Sequence, residues 1–463
     1  MVHTGLSTEI FQEPRYQNLI ESMQPGKYFW VLVVPLVLGV VIGGLAWIVQ
    51  LIEGLGVTGL NYRLFWGFYL VNFVFFIGIS HAGTLISAIL RVTGAGWRAP
   101  ITRMAEAITT FSLIVGGSMI LIDMGRFDRL WHIPVFPNFT SPLVWDFTSV
   151  TTYLVGSMMF LYLPMIPDMG MLREYYKEKI GTGKANLVDK ARFQLYRLMA
   201  LNWQGTKLQI ERLERGIKIM AILIIPIAVS VHTVVSFVFS MHWRPGWHST
   251  IFGPYFVVGA IFSGIAGLLV AMAIFRKMYK LEDFITPKQF NNLALLLLAF
   301  AALYLYFTVA EFLTAAYTGW KEEAEILEQL FYGQFAWGFW TFLVLGLIIP
   351  MFLLAIPKTR HSVLWVTIAS LLVNYGMYVK RFIIVVPTVS APVYSENWLV
   401  YSPTWVEIAI TVAGFSGFIL LYVVFSKIFP IIAIWEFSEW EHEEKEALAV
   451  VDTNNKKVAV SGD

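Results

Sequence analysis

The chain contains no cysteine among its 463 residues. That absence excludes disulfides, thiolate metal sites, cysteine-ligated iron–sulfur clusters and haem attached covalently through a Cys-x-x-Cys-His motif. Charge is also scarce: Asp, Glu, Lys and Arg make up 14% of the residues against 57% hydrophobic, and the mean hydropathy is positive. Soluble globular domains carry roughly twice that share of charge. The composition is that of a polytopic membrane protein. A formal net charge of +2 favours neither nucleic acid nor a strongly anionic partner, so only the distribution of charge is informative. A short, cleavable signal is lacking too: residues 1 to 26 are polar, and the first apolar run is long enough to remain as a span.

What the sequence does have is apolar runs of about 20 residues, the length that crosses a bilayer as helix. They fall at about 28–50, 64–90, 104–122, 144–166, 217–240, 252–275, 290–317, 333–356, 363–386 and 404–428. The expected fold is all-α, with ten transmembrane helices between an N-terminal segment (1–27) and a C-terminal tail (429–463). Pro164, Pro226 and Pro350 fall inside these runs, which membrane helices tolerate. Lys and Arg crowd the connections after helices 2, 4, 6 and 8. These include Arg91, Arg98 and Arg103, ten cations in 168–216 (Lys184 among them), Arg276, Lys277, Lys280 and Lys288, and Lys358 with Arg360. With ten helices all four connections share one face, which the positive-inside rule makes cytoplasmic together with both termini, as expected for a bacterial cytoplasmic membrane. The alternate loops balance or lack cations and are rich in Trp131, Trp243, Trp247, Trp398, Tyr394, Pro134 and Pro137, as interfacial anchors would be. The tail after Phe429 turns acidic and then polar, and reads as solvated.

Ionisable residues within or beside the runs are functional candidates, because burying charge in hydrocarbon is costly. By position, Asp123, Arg126, Asp146, His232, Glu311, Lys380, Arg381 and Glu407 lie toward the outer face, and His81, Arg103, Glu106 and Asp168 toward the inner one. Structural readings compete. Arg103 and Glu106, three apart, suit an interfacial ion pair. Asp168 after Pro167 suits capping or solvation. Glu407 after Ser402-Pro403-Thr404 suits a first-turn carboxylate favoured by the helix dipole, and Lys380 and Arg381 could snorkel outward. His81, His232 and Glu311 lie more than a turn inside and are harder to explain structurally. Two helical histidines also raise haem b ligation, against which their different depths argue. Interrupted helices with interior charges occur in secondary transporters as well, although no repeat symmetry is evident.

A set of motifs then recurs in one order: Ser80-His81-Ala82-Gly83-Thr84, Arg98 to Glu106, Met124-Gly125-Arg126, and Ser141-Pro142-Leu143-Val144-Trp145-Asp146. Ser230-Val231-His232, Pro245-Gly246-Trp247, Asn374-Tyr375-Gly376 with Arg381-Phe382, and Ser402-Pro403-Thr404 with Glu407 complete it. Over about residues 30 to 430 the chain resembles the quinone-interacting membrane subunits of the polysulfide reductase or NrfD type, most of all the ActC subunit of bacterial alternative complex III. The resemblance implies two four-helix bundles, helices 2 to 5 and 6 to 9, with helices 1 and 10 at the flanks. It also implies a quinone or quinol (menaquinone or ubiquinone) bound near the outer face, beneath an iron–sulfur subunit. A multihaem cytochrome c and a second NrfD-like membrane subunit would be further partners in alternative complex III. The related alternative is the membrane anchor of a molybdopterin or sulfur-compound oxidoreductase.

Quinol oxidation releases two protons with two electrons, so the site needs hydrogen-bond partners for the quinone oxygens and groups that accept protons. Asp123, Arg126, Trp131, His232 and Arg381 are the candidates for contact with the quinone. Asp123 is expected beside Arg126 and ionised. Asp146 and Glu311, with Asp123 and His232, are the catalytic proton acceptors, and His81, Arg103, Glu106, Asp168, Lys380 and Glu407 a proton path. No haem, iron–sulfur cluster or other metal site is expected in this chain, so the electrons need a partner.

Overall fold

The computed structural model describes residues 9–27, 29–183, 185–392 and 397–442, leaving the side chains of residues 82, 84 and 85 aside. Lys184 and Tyr394 lie outside the described residues. Every regular element described is a helix. In chain order these are α1 (Pro14–Ser22), α2 (Phe29–Glu53), α3 (Phe68–Val92), α4 (Thr102–Asp123), α5 (Pro142–Tyr162), α6 (Met165–Gly181), α7 (Leu187–Met199), α8 (Lys207–Ser240), α9 (Phe252–Met278), α10 (Pro287–Thr318), α11 (Lys321–Phe331), α12 (Ala336–Ala355), α13 (Val363–Ser390), α14 (Trp405–Ile428) and α15 (434–442). Nine are long and apolar enough to span a bilayer. Among the described residues α5 and α6, bent by 43°, pass the same test only as a pair, and make a tenth if the pair is one broken span. Pro164 lies in the break, and proline is an ordinary cause of such a bend.

Local chemistry sets the ends. Proline stands at the first turn of α5 and α10, where the missing N–H costs nothing. Reciprocal capping boxes start α7 (Asn186 with Asp189) and α8 (Thr206 with Gln209), and at α10 and α14 the side chains of Gln289 and Glu407 accept from the N–H groups of Thr286 and Thr404. Gly319 ends α10 at a φ of 64°, a left-handed conformation that glycine adopts at no cost. Two elements exceed the apolar runs: α8 begins ten residues before its run, and α6 carries the fourth span on past it to Gly181.

Packing gives a first ring of α3, α4, α5 and α8 and a second of α9, α10, α12 and α13. The rings meet mainly through α9 against α3 and α8, and α13 against α3. α14 packs on α4 and α3, and α2 packs on α14, so the two flanking helices lie together on one side. α2 shows most of its apolar surface outward, as a helix facing lipid does. The connections 93–101, 182–206, 279–286 and 356–362 share one end of the rings, here called the basic face.

Within the second ring, α12 contains a π-helical stretch over Phe342–Ile348. There Gly346 meets Gly376 of α13, where a side chain on Gly376 would stand 2.3 Å from the Gly346 Cα. Gly376→Ala must therefore push two backbones apart, and is expected to destabilise the purified protein by about 1–3 kcal/mol. A thermal melt in detergent matching wild type would refute that close contact.

The C-terminal stretch corrects the solvated reading of the tail as far as it is described. Ile431, Ile432, Ala433, Ile434, Trp435 and Phe437 are buried against the basic face. Glu436, also buried, pairs with Arg91 of α3 and with Arg98 at 3.1 Å. Arg15 of α1 makes a bidentate pair with Glu441 at 2.7 and 2.6 Å. Residues 430–442 thus form a strap across the first ring. On the opposite face Trp247 is buried and donates to the Ile384 carbonyl at 2.8 Å, so it is an internal clasp and not an interfacial anchor.

Candidate functional site

Half-way down the first ring, His81 of α3 and His232 of α8 meet with ring centroids 3.7 Å apart, both buried. His81 Nε2 donates to the Ala228 carbonyl on α8. A carbonyl only accepts, so Nε2 carries the hydrogen and Nδ1 is left as an acceptor. Nδ1 of both rings is buried without a hydrogen-bond partner. Tyr153 of α5 stands 5.1 Å from His81, and its hydroxyl donates to the Ser80 carbonyl at 3.2 Å. Thr109 of α4 donates to the same carbonyl at 2.6 Å. All four helices of the ring therefore contribute at this level. The assignment of His81 and His232 to different depths is overturned, and the argument it supplied against a shared haem goes with it.

Asp146 lies seven residues before Tyr153 on the same inward stripe of α5, about 10 Å nearer the opposite face. It is buried, and its Oδ1 has no hydrogen-bond partner. The hydroxyls of Ser112 and Ser157 are likewise buried and unpartnered. Toward the basic face, Glu106 Oε1 accepts from Ser87 at 2.8 Å. Arg103 does not pair with Glu106. It turns to Asp168 at 2.6 Å and donates to the carbonyls of Pro430, Ile432 and Pro164. Asp168 is fully buried, not solvated, and caps a helix other than its own, accepting from the backbone N–H groups of Ile434 and Trp435 at the start of α15 at 2.9 and 2.8 Å. Arg103 and Asp168 thus hold the strap and are satisfied by it. The column from Asp146 through the histidines to Glu106 ends on this seal.

At the junction of the rings, Arg381 of α13 is buried with Nε and Nη2 lacking hydrogen-bond partners. Gly78 of α3 and Gly259 of α9 make room for it, since a Cβ would stand 3.5 and 3.3 Å from Nη2. The neighbouring Lys380 points into the second ring, with Nζ 3.5 Å from Glu311 and within 5.4 Å of the ring centres of Tyr255, Phe312 and Phe342. Neither cation snorkels. Beside Lys380 and Glu311 lies a small cleft of about 50 Å³, walled by Trp247, Phe312 and Ile383 and capped by α11.

The remaining candidates sit elsewhere. Asp123, at the end of α4, has a buried Oδ1 without a partner. The group expected beside it, Arg126, is exposed and forms a bidentate pair with Asp128 at 2.9 Å. Trp131 is also exposed, on the same loop. Glu407 is buried and caps α14, accepting from Gly59 N at 2.7 Å, Thr404 N at 3.0 Å and the Tyr401 hydroxyl. That is the structural reading of Glu407, drawn tighter by the loop before α3.

Sequence reasoning missed Tyr153, Thr109 and the cleft. The i, i+7 spacing of Asp146 and Tyr153 was a usable signal; the cleft, assembled from four separated segments, left none. Among the described residues no three His, Asp or Glu side chains converge as a metal site would require.

Residues 56–392 match the family model "Polysulphide reductase, NrfD". The chain belongs to that family. It is 28% identical over 409 residues to a Halobacterium salinarum protein assigned as a membrane subunit of dimethyl sulfoxide reductase, covering 84% of this chain and 87% of the other. It is 26% identical over 404 residues to a selenate reductase subunit of Mesobacillus selenatarsenatis, covering 84% and 92%. A third relative, the Hdr-like menaquinol oxidoreductase integral membrane subunit of Archaeoglobus fulgidus, is 25% identical over 353 residues, covering 74% and 75%.

Proposed function

We propose that this chain is the quinone-handling membrane subunit of an oxidoreductase complex, oxidising quinol in the first ring and passing electrons to an iron–sulfur partner on the face opposite the basic one. The observation that carries this reading is the His81–His232 pair beneath Asp146, three side chains with unpartnered polar atoms in the apolar core of one bundle. Buried polar atoms without partners are rare and call for a ligand, water or proton to meet them. The site suits a quinol: acceptor nitrogens and a carboxylate can take hydrogen bonds and protons from its two hydroxyls. When bound, a quinol supplies two electrons and two protons. His81, fixed by Ala228, orients its Nδ1 as an acceptor, and Asp146 takes the proton onward to the opposite face. Glu311 and Lys380 form a separate acid–base pair outside this path, and the quinone-contact roles of Arg126 and Trp131 are withdrawn in favour of the buried residues.

The named relatives support a redox membrane subunit, and the third supports menaquinol as the electron donor. Two of them carry reductase names, which favours a complex with a molybdopterin reductase and its iron–sulfur subunit over alternative complex III with its cytochrome c and second NrfD-like subunit. The basic face is the cytoplasmic one on this reading.

The test is quinol-dependent reduction by the intact complex, comparing wild type with His232→Ala and Asp123→Asn after each is shown to assemble. Loss of turnover in His232→Ala alone places the chemistry in the ring. Loss in Asp123→Asn alone moves it to the end of α4, and normal turnover in both overturns the reading.

A further inference from the structure

The cleft in the second ring takes no part in the site just described, and it sets an ammonium and two carboxylates among apolar walls. Its floor holds Lys380, buried to 1% exposure, with a single acceptor, Glu311, at 3.5 Å. An ammonium has three donors, and charge-assisted bonds ordinarily run to about 2.7–2.9 Å. The rings of Tyr255, Phe312 and Phe342 meet part of that charge, and Glu311 is the one hydrogen-bond acceptor it has among the described residues. From the cap α11, Glu323 lines the same cleft at 9% exposure; among the described residues no hydrogen bond or salt bridge reaches it, and His248 is the nearest basic group that acts on it. Between the two lie aliphatic and aromatic walls, Phe312, Ile326 and Ile383 among them. Glu311, Phe312 and Ala315 of α10 line the cleft, next to the outward-facing Val309 and Leu313. Lys380 and Glu311 stand about 10–15 Å below the ends of α13 and α10 at 1.5 Å per residue, within the spanning lengths of both helices.

A ligand that satisfies this lining carries an anionic oxygen group for Lys380, an ammonium for Glu323 and an apolar body for the walls. We infer that the cleft is a binding site for a zwitterionic aminophospholipid, its phosphate toward Lys380 and its ammonium toward Glu323, entering from the bilayer beside α10. A quinone would meet Lys380 with a carbonyl and leave Glu323 with only the more distant His248. A purely anionic lipid would set its charge against both carboxylates. Lys380 with Glu311 and Glu323 leaves one carboxylate in excess; a quinone does nothing for it and an anionic lipid adds to it, whereas a zwitterion sets an ammonium against it.

The intact complex, delipidated by detergent exchange, tests this by native mass spectrometry with phosphatidylethanolamine and phosphatidylglycerol of identical acyl chains, and with a quinone as third probe. Wild type is expected to retain phosphatidylethanolamine at least tenfold over phosphatidylglycerol, about 1.4 kcal/mol of discrimination. Glu323→Gln, at the rim, should abolish that preference while binding of both lipids persists, and Lys380→Met should weaken both. Equal retention of the two lipids by wild type overturns the assignment, as does an unchanged preference in Glu323→Gln. So does quinone retention lost in Lys380→Met. A thermal melt of each variant separates lost binding from lost fold.

Discussion

In the assembled complex, His232→Ala is expected to lower quinol-dependent turnover by about 10²–10⁴-fold, the range ascribed to a positioned general base. His81 and His232 share one van der Waals contact, so removing either ring opens a gap and frees the other. His81→Ala should therefore cost a similar factor, and the double variant little more, because groups that act as a unit are not additive. Tyr153→Phe is the informative comparison. It removes only the hydroxyl that donates to Ser80, keeps the ring beside His81, and should leave turnover within a few-fold of wild type. A His232→Ala complex with all its partners in place and full turnover would falsify the proposal that this pair handles the quinol.

Arg103→Ala is expected to have the largest effect on the fold. The pair with Asp168 is completely buried, and removal of one partner leaves an uncompensated charge, which typically costs about 3–5 kcal/mol. The strap loses two side chain to carbonyl bonds at the same stroke. We expect little monodisperse protein by fluorescence-detected size exclusion, and rapid proteolysis beyond residue 429 in what survives. Glu436 adds a pH dependence. Burial pushes its carboxyl up, but Arg91 and Arg98 outweigh that and hold it below the ordinary glutamate range. A lowered carboxyl pKa stabilises the folded state above its unfolded value, near 4.3, and that stability is lost as pH falls through the lower folded value. Protection of the strap should therefore be flat from neutral pH down to about 5 and fade only in stronger acid. Fading between pH 6 and 7 would contradict the Glu436 assignment.

The helices could be read from the chain because the bilayer imposes a one-dimensional rule, about 20 apolar residues per crossing. Which charges meet could not. Depth counted from helix ends assumes that neighbouring helices end flush. His81 stands thirteen residues from the start of α3 and His232 only eight from the end of α8, so the two helices are staggered by five residues, about 8 Å. Rotation about the axis is the other missing coordinate. Arg103 and Glu106 are one turn apart, yet one turns to α6 and the strap and the other to Ser87. Arg381 and Lys380, adjacent in sequence, face different rings for the same reason. The capping role of Glu407 was legible because a cap is local: Thr404 and Glu407 are three apart and need no other helix to explain them. The strap was not, since an apolar hexapeptide followed by acids says nothing of the arginines waiting for it on α3 and α4.

Those arginines also impose an order on biogenesis. Arg91, Arg98 and Arg103 leave the ribosome more than 300 residues ahead of Glu436 and the carbonyls at 430 and 432. Throughout synthesis of the second ring, the first waits with its basic end unsealed. Any factor that guards a nascent membrane protein has a long window in which to bind there, and release from it would coincide with arrival of the last helix.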